Sequence, residues 1–409
     1  MTLTDVEISK VGTGVQMLGG KKLTMERGEI KEFTTAGVSV GISVISAELK
    51  GTVITGKGSG TGVKVEDKGT SANLTLDGVT IESVEKGVEM NGTGALMISG
   101  KTEIQFTSDN GYGVYVGKKV TRADLRNVTV TGENKGVGVK VSGRGVSANL
   151  TLTNVTVSKV ATGLYMMGGK SLTMTGGSIG FTRSYGVYVG GEMTAKLTKT
   201  VITGSGGGNG VYATEGTVEL DGVTIAQVET GVDISGGKSL TMKDGTIKEF
   251  TTEGMSVGIS VISATLTGTI ITGKGGGTGV KVEDKATASL TLTDVKISKV
   301  ATGVEMNGTG ALMISGSSTI QFKGKYGVYV GEGAVWLDDT TLRNVAKGMT
   351  VENGGCSHKG SIIFGGEHGI SLTTGYAFLG EVAIEGKGSG KGKEGIKVYE
   401  GMLDLCKNS

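Results

Sequence analysis

The sequence repeats itself, and the repeat admits few folds. Ala72-Asn73-Leu74-Thr75-Leu76-Asp77-Gly78-Val79-Thr80-Ile81, followed by Gly87-Val88-Glu89-Met90, comes back as Ser289-Leu290-Thr291-Leu292-Thr293-Asp294-Val295-Lys296-Ile297, followed by Gly303-Val304-Glu305-Met306. A third copy runs from Val218 to Ile225, and looser copies begin near Leu23, Leu150, Leu172 and Leu240. Apolar residues fall at every second position, as in Gly62-Val63-Lys64-Val65 and Leu74-Thr75-Leu76. Each segment therefore reads as a short strand with one face in and one face out. Three such strands, separated by Gly- or Asp-bearing corners, recur in the same order roughly every 24 residues, a period in the solenoid range. Stacking each strand on its equivalent in the next turn makes parallel ladders, whereas a sandwich needs the chain to reverse through tight hairpins. The expectation is an all-β chain: a single right-handed parallel β-helix of about 17 coils, its hand taken from known β-helices.

A larger duplication lies above this one. The stretches Ile30 to Thr35 and Gly62 to Lys68 return 217 residues later, and Met90 to Met97 returns 216 residues later. Loops outside the ladder absorb such a one-residue slip. Residues 1–409 read as one continuous β-helix domain, with 351–409 as divergent C-terminal coils. The absence of Pro fits a chain whose backbone N–H groups are needed in ladders. With 41 Lys+Arg against 39 Asp+Glu, nothing draws the chain as a whole to nucleic acid or an anionic membrane. No apolar run approaches the ~20 residues of a membrane span. The chain starts inside a strand pattern at Met1 to Asp5, without a leader peptide, and reads as a piece of a longer precursor.

Several residue groups are of types that could carry chemistry. Asp338-Asp339, Glu367-His368-Gly369 and Lys397 faintly echo the ordered motifs of polygalacturonases, which cleave a sugar bond with converging carboxylates. The preceding Asn-Thr-Asp element is missing, Glu367 stands in place of a Gly, and Gly395 in place of an Arg. Trp336 is the single Trp, whereas sugar clefts use several aromatic platforms. No catalytic residue is expected. The glycine runs at 205–208 and 275–279 lack the Lys-Ser/Thr that opens a helix in phosphate loops, so they read as corners. Asp77-Gly78, Asp221-Gly222 and Asp244-Gly245 punctuate strands, which is a turn role. His358 and His368 are too few and too scattered for a metal site, and neither a metal nor a cofactor is expected. Asn73, Asn127, Asn149 and Asn154 head glycosylation sequons of the kind a Thr-rich chain contains by chance. Lys387, Lys391 and Lys393, in a glycine-rich basic loop, are weak candidates for contact with a receptor or acidic glycan. Cys356 and Cys406 could form a terminal disulfide only with a distorted end cap, because two coils at ~4.8 Å each exceed the ~7 Å a bridge spans.

The phrases Met90 to Gly100 with Tyr112 to Gly117, and Met306 to Gly316 with Tyr326 to Gly331, resemble the passenger domains of Bartonella autotransporters, in particular their angiogenic-factor group. The resemblance runs over nearly the whole chain, and its phrases are structural repeats. It implies a virulence factor carried over the outer membrane by a C-terminal barrel and secreted or displayed on the bacterial surface. There it would act on host endothelial cells through vascular endothelial growth factor receptor 2. It assigns no receptor-contacting residue. Two other readings stand beside it: a surface adhesin or scaffold binding matrix or glycans by multivalency, and a polysaccharide-cleaving β-helix enzyme.

Overall fold

The computed structural model describes residues 1–67, 72–143, 148–387 and 393–406. As expected, the chain is all-strand and forms a right-handed parallel β-solenoid of about 17 turns. It divides into two units, residues 1–208 and 209–409.

In the first unit each coil has three faces. Thr61–Val65, Lys86–Met90 and Tyr112–Val116 pair in parallel and line up Val63, Val88 and Val114 on the Gly-Val face. Asn73–Asp77, Ala95–Ser99 and Arg122–Arg126 line up Leu74, Leu96 and Ala123 on the Leu-Thr face. Thr80–Val84, Glu103–Phe106 and Thr129–Thr131 line up Ile81, Ile104 and Val130 on the Thr-Ile face. These inward columns are almost fully buried. The period-two pattern leaves Thr, Lys, Glu and Tyr outside.

The second unit follows the same grammar. Its Gly-Val column runs Val280, Val304, Val328, Met349, Ile370 and Ile396. The sequence divergence after residue 351 does not break the ladder. Instead, corners on both sides of residue 351 continue the pairing, so strands Ala334–Val351 and Gly355–Leu372 each run 18 residues.

Packing explains why the second residue of each Gly-Val strand is glycine. A methyl on Gly62 would fall inside contact distance of Ile81 Cγ2 and the Gly87 carbonyl, and one on Gly87 would meet Ile104 Cγ2 and the Gly113 carbonyl. The corner between the Leu-Thr and Thr-Ile faces needs a left-handed backbone. Gly78 and Gly222 supply it, as do Asn127, Asn154, Asp294 and Asp339. Asn and Asp tolerate this conformation through local hydrogen bonding. At Asp244-Gly245 it is Asp244, with φ 48°, and not the glycine, that turns left-handed. Stacked corner asparagines also bond each other, Asn154 Nδ2 donating to Asn127 Oδ1 at 3.4 Å. The next residue dips inward. Thr102 there is fully buried and satisfied: its hydroxyl donates to the Ser99 carbonyl at 2.6 Å and accepts from the Val79 N–H at 3.1 Å. Ser318 repeats both bonds in the second unit, with Ser315 and Val295.

Candidate functional site

The outer side of the Gly-Val face carries the densest functional chemistry. Two residues of every strand project there, the first and the fourth. In the phrase Tyr-Gly-Val-Tyr-Val both are tyrosines, and the phrase occurs three times. Tyr112 and Tyr115 lie 5.1 Å apart, Tyr185 and Tyr188 5.2 Å, and Tyr326 and Tyr329 5.1 Å. Parallel register then extends the rows. Tyr165 stacks on Tyr188 at 4.7 Å. Lys86 lies over the Tyr112 ring and Lys347 over the Tyr326 ring, at 5.7 and 5.6 Å.

Carboxylates complete the rows. Glu89 accepts from Asn91 Nδ2 at 2.7 Å, and its duplicate Glu305 accepts from Asn307 Nδ2 at 2.9 Å. Lys281 bridges Glu253 and Glu283 at 3.5 and 3.0 Å. Asp233 stands beside these two acids and accepts from Asn209 Nδ2 at 3.0 Å. Burial, with Glu253 and Glu283 adding to it, pushes the Asp233 carboxyl up to about 6. Tyr112 and Tyr329 are both held protonated, by burial first and then by Glu89 and Glu352 respectively.

The residues singled out in the sequence fare unevenly. Asp338 and Asp339 are exposed, and Asp339 occupies the left-handed corner with φ 49°. His368 and Lys397 lie instead on the Gly-Val face, in the rows that pair with Lys347 and Ser371. The structure thus brings His368 and Lys397 near each other and leaves the two aspartates on a different corner. Lys393 Nζ donates to the carbonyls of Gly365 and Lys387 at 2.5 and 3.2 Å, so its ammonium is engaged by the backbone of its own chain. Lys387 is exposed, and Lys391 lies outside the described residues.

The proposed disulfide is corrected. Cys356 is a free, buried thiol. It aligns with Ala377 and then Leu403, while Cys406 aligns with Gly380, so two coils and three further residues separate the cysteines. That offset is beyond the ~7 Å that a bridge spans, and the register shift at His358 and Gly360 does not cancel it.

Sequence reasoning missed two features, the first being the burial of His358. His358, 1% exposed, points into the core between Leu337 and Leu379. Neither of its ring nitrogens finds a hydrogen-bond partner. Burial pulls its pKa down to about 4; the Leu337 carbonyl acts against this but lies outside hydrogen-bonding geometry. The second is a concavity around His368. An inward position in an alternating strand was the available signal for the first; the second needs the register.

A family model described as the right-handed β-helix region matches residues 140–290. No curated protein and no solved structure matches the chain. The fold is consistent with a surface or secreted repeat protein.

Proposed function

We propose that the chain is the non-catalytic, extracellular passenger of a bacterial autotransporter, and that it engages a host cell-surface receptor through its Gly-Val face. The receptor we propose is vascular endothelial growth factor receptor 2, from the resemblance to the angiogenic-factor group. One observation supports a binding role above others. The phrases that carry the resemblance pack Gly and Val inward and send paired tyrosines outward beside Lys and Glu. Tyrosine is enriched where protein interfaces concentrate their energy, since it presents a large, rigid, amphipathic surface at low entropic cost. The exposed corner position of Asp339 counts against the cleavage reading.

The test is receptor phosphorylation in endothelial cells treated with the purified, monomeric chain. A dose-dependent signal is expected, lost on unfolding and reduced at least tenfold by Tyr165→Ser combined with Tyr115→Ser. Absence of signal from folded protein would overturn the receptor reading in favour of an adhesin. A signal indifferent to the tyrosines would remove the face from it.

A further inference from the structure

We propose that the last six coils carry a groove for a neutral or amino-sugar oligosaccharide. The inference does not rest on the receptor reading.

Register builds the groove. One outward row runs Tyr326, Lys347, His368 and Glu394; the row beside it runs Tyr329, Thr350, Ser371 and Lys397. In the second row two small residues sit between two long ones. With strands ~4.8 Å apart, Tyr329 and Lys397 stand about 14 Å from each other across a floor of Thr350 and Ser371. The result is a concavity of about 490 Å³, its rim formed by exposed Glu352, Thr374, Tyr399 and Glu400. A second concavity of about 500 Å³ meets it at Glu352, Thr373 and Thr374 and continues past Tyr329 to Asn307 and Asp284. Together they form an elongated groove crossing successive coils.

The floor has unused hydrogen-bonding capacity. Thr350 Oγ1 and His368 Nε2 have no partner, although these residues are only 7% and 5% exposed. Buried polar atoms are nearly always bonded, and two orphans lining one concavity mark a place where a ligand supplies the partner. His368 is kept neutral by burial, with Lys347 contributing in the same direction. Its Nε2 can therefore accept or donate according to tautomer. Thr350 and Ser371 add hydroxyls, which also work both ways.

The chemistry selects a sugar. Vicinal hydroxyls are donors and acceptors at once, which matches carboxylates, hydroxyls, amides and a neutral imidazole. The C–H face of a pyranose stacks on an aromatic ring, and Tyr329 and exposed Tyr399 stand at the two ends. Charge excludes anionic glycans. Asp284, Glu332, Glu352, Glu367 and Glu400 line the two concavities against Lys285 and Lys347, with Lys397 at one end of the floor. Lys347 is already held by Glu367 at 3.0 Å. An excess of carboxylates repels uronates, sulfated chains and nucleic acid, and favours a neutral or amino sugar. Each concavity has the volume of a small-molecule site, so the pair suits an oligomer of a few units.

The test uses the full chain on a panel of immobilised glycans spanning neutral, amino-sugar, uronate and sulfated oligomers. Calorimetry with N-acetylchitotetraose and cellotetraose follows. Binding to at least one neutral or amino-sugar oligomer is expected, weakened at least tenfold by Thr350→Val and by Tyr399→Ala. Thr350→Val keeps shape and removes only the orphan hydroxyl; Tyr399 is exposed, so its loss leaves the fold intact, and matched melting curves check both. Three results would each overturn the proposal: no neutral or amino sugar bound, a preference for anionic oligomers, or binding unchanged in both variants.

Discussion

Phe33 and Gly56 occupy one register position in successive coils, and the ring's Cζ lies 3.3 Å from the point where a Gly56 Cβ would stand. Phe250 and Gly273 repeat the pairing, and Phe106 lies 3.1 Å from the equivalent point at Gly132. In the preceding coil a valine holds the same register position for three of the column's rings: Val84 for Phe106, Val160 for Phe181, Val300 for Phe322. The column thus cycles through Phe, Gly and Val, the aromatic ring filling volume that the glycine leaves. Three cycles carry the chain from Thr61–Val65 to Thr278–Val282, the distance of the 217-residue duplication. The long duplication and the three-coil packing cycle are therefore in phase.

That packing makes Phe106 a strong determinant of local stability. It is fully buried, and Gly132 cannot collapse onto the space it leaves. Phe106→Ala is expected to cost about 3–5 kcal/mol, and Phe106→Leu distinctly less. Urea denaturation gives the magnitude. Hydrogen exchange would show whether the loss is confined to the neighbouring coils, as expected of a solenoid whose repeats contact only their neighbours.

Two glycines give a sharper contrast. A methyl at Gly87 confronts Ile104 Cγ2 and the Gly113 carbonyl, whereas one at Gly12 meets nothing within 4 Å. Gly87→Ala should destabilise by about 1–3 kcal/mol through overpacking. Gly12→Ala should stay within about 0.5 kcal/mol of the parent. Equal urea midpoints for the two variants would contradict the close approach described for the Gly-Val column.

Stability should depend on pH through two groups with opposite signs. His358 is neutral in the folded core, with a pKa lowered to about 4 against 6.5 when unfolded. Below pH 6.5 the unfolded chain takes up a proton that the fold refuses, so stability is full above that value and falls as pH drops towards 4. The loss amounts to about 3 kcal/mol. Asp233, raised from 3.8 to about 6, runs the other way: its contribution is full below pH 3.8 and is lost as pH rises through 6. Residual solvent screening limits that effect to about 1 kcal/mol. His358→Leu should abolish the acid loss, since leucine matches the Leu337 and Leu379 column. Asp233→Asn should stabilise at pH 7 and change nothing below pH 4. Urea midpoints between pH 4 and 8 test both.

The three faces were legible because alternation and corner residues are local properties of the chain. Val63 or Leu74 announces its column without reference to any other coil. The groove was not legible, because it depends on which residues the register superposes. Lys347 precedes His368 by 21 residues, and His368 precedes Glu394 by 26, the difference lying in loops outside the ladder. No fixed spacing reveals that row. The polygalacturonase echo, set aside on its missing motif residues, has a related physical origin. In sequence Asp338-Asp339 looks like paired acids, but the coil places Asp339 where a left-handed residue is required, as at Asp5, Asp244 and Asp294. The burial of His358 was not read, because an inward position in an alternating strand is normally apolar, and its neighbours in the column are leucines.

Cys356 offers a direct check on the C-terminal register. Burial alone raises its thiol pKa to about 12, so almost none is thiolate at pH 8, and the side chain is closed to reagents. The thiolate is the reactive form. Folded protein treated with iodoacetamide at pH 8 should therefore leave Cys356 unmodified, and the same treatment in urea should label it fully. Peptide mass spectrometry without reduction reads both states. It should also find no peptide joining Cys356 to Cys406, because their strands differ by two coils and three residues. A linked peptide from native protein would mean that the last coils pair in a different register, and the rows that form the groove floor would have to be redrawn with them.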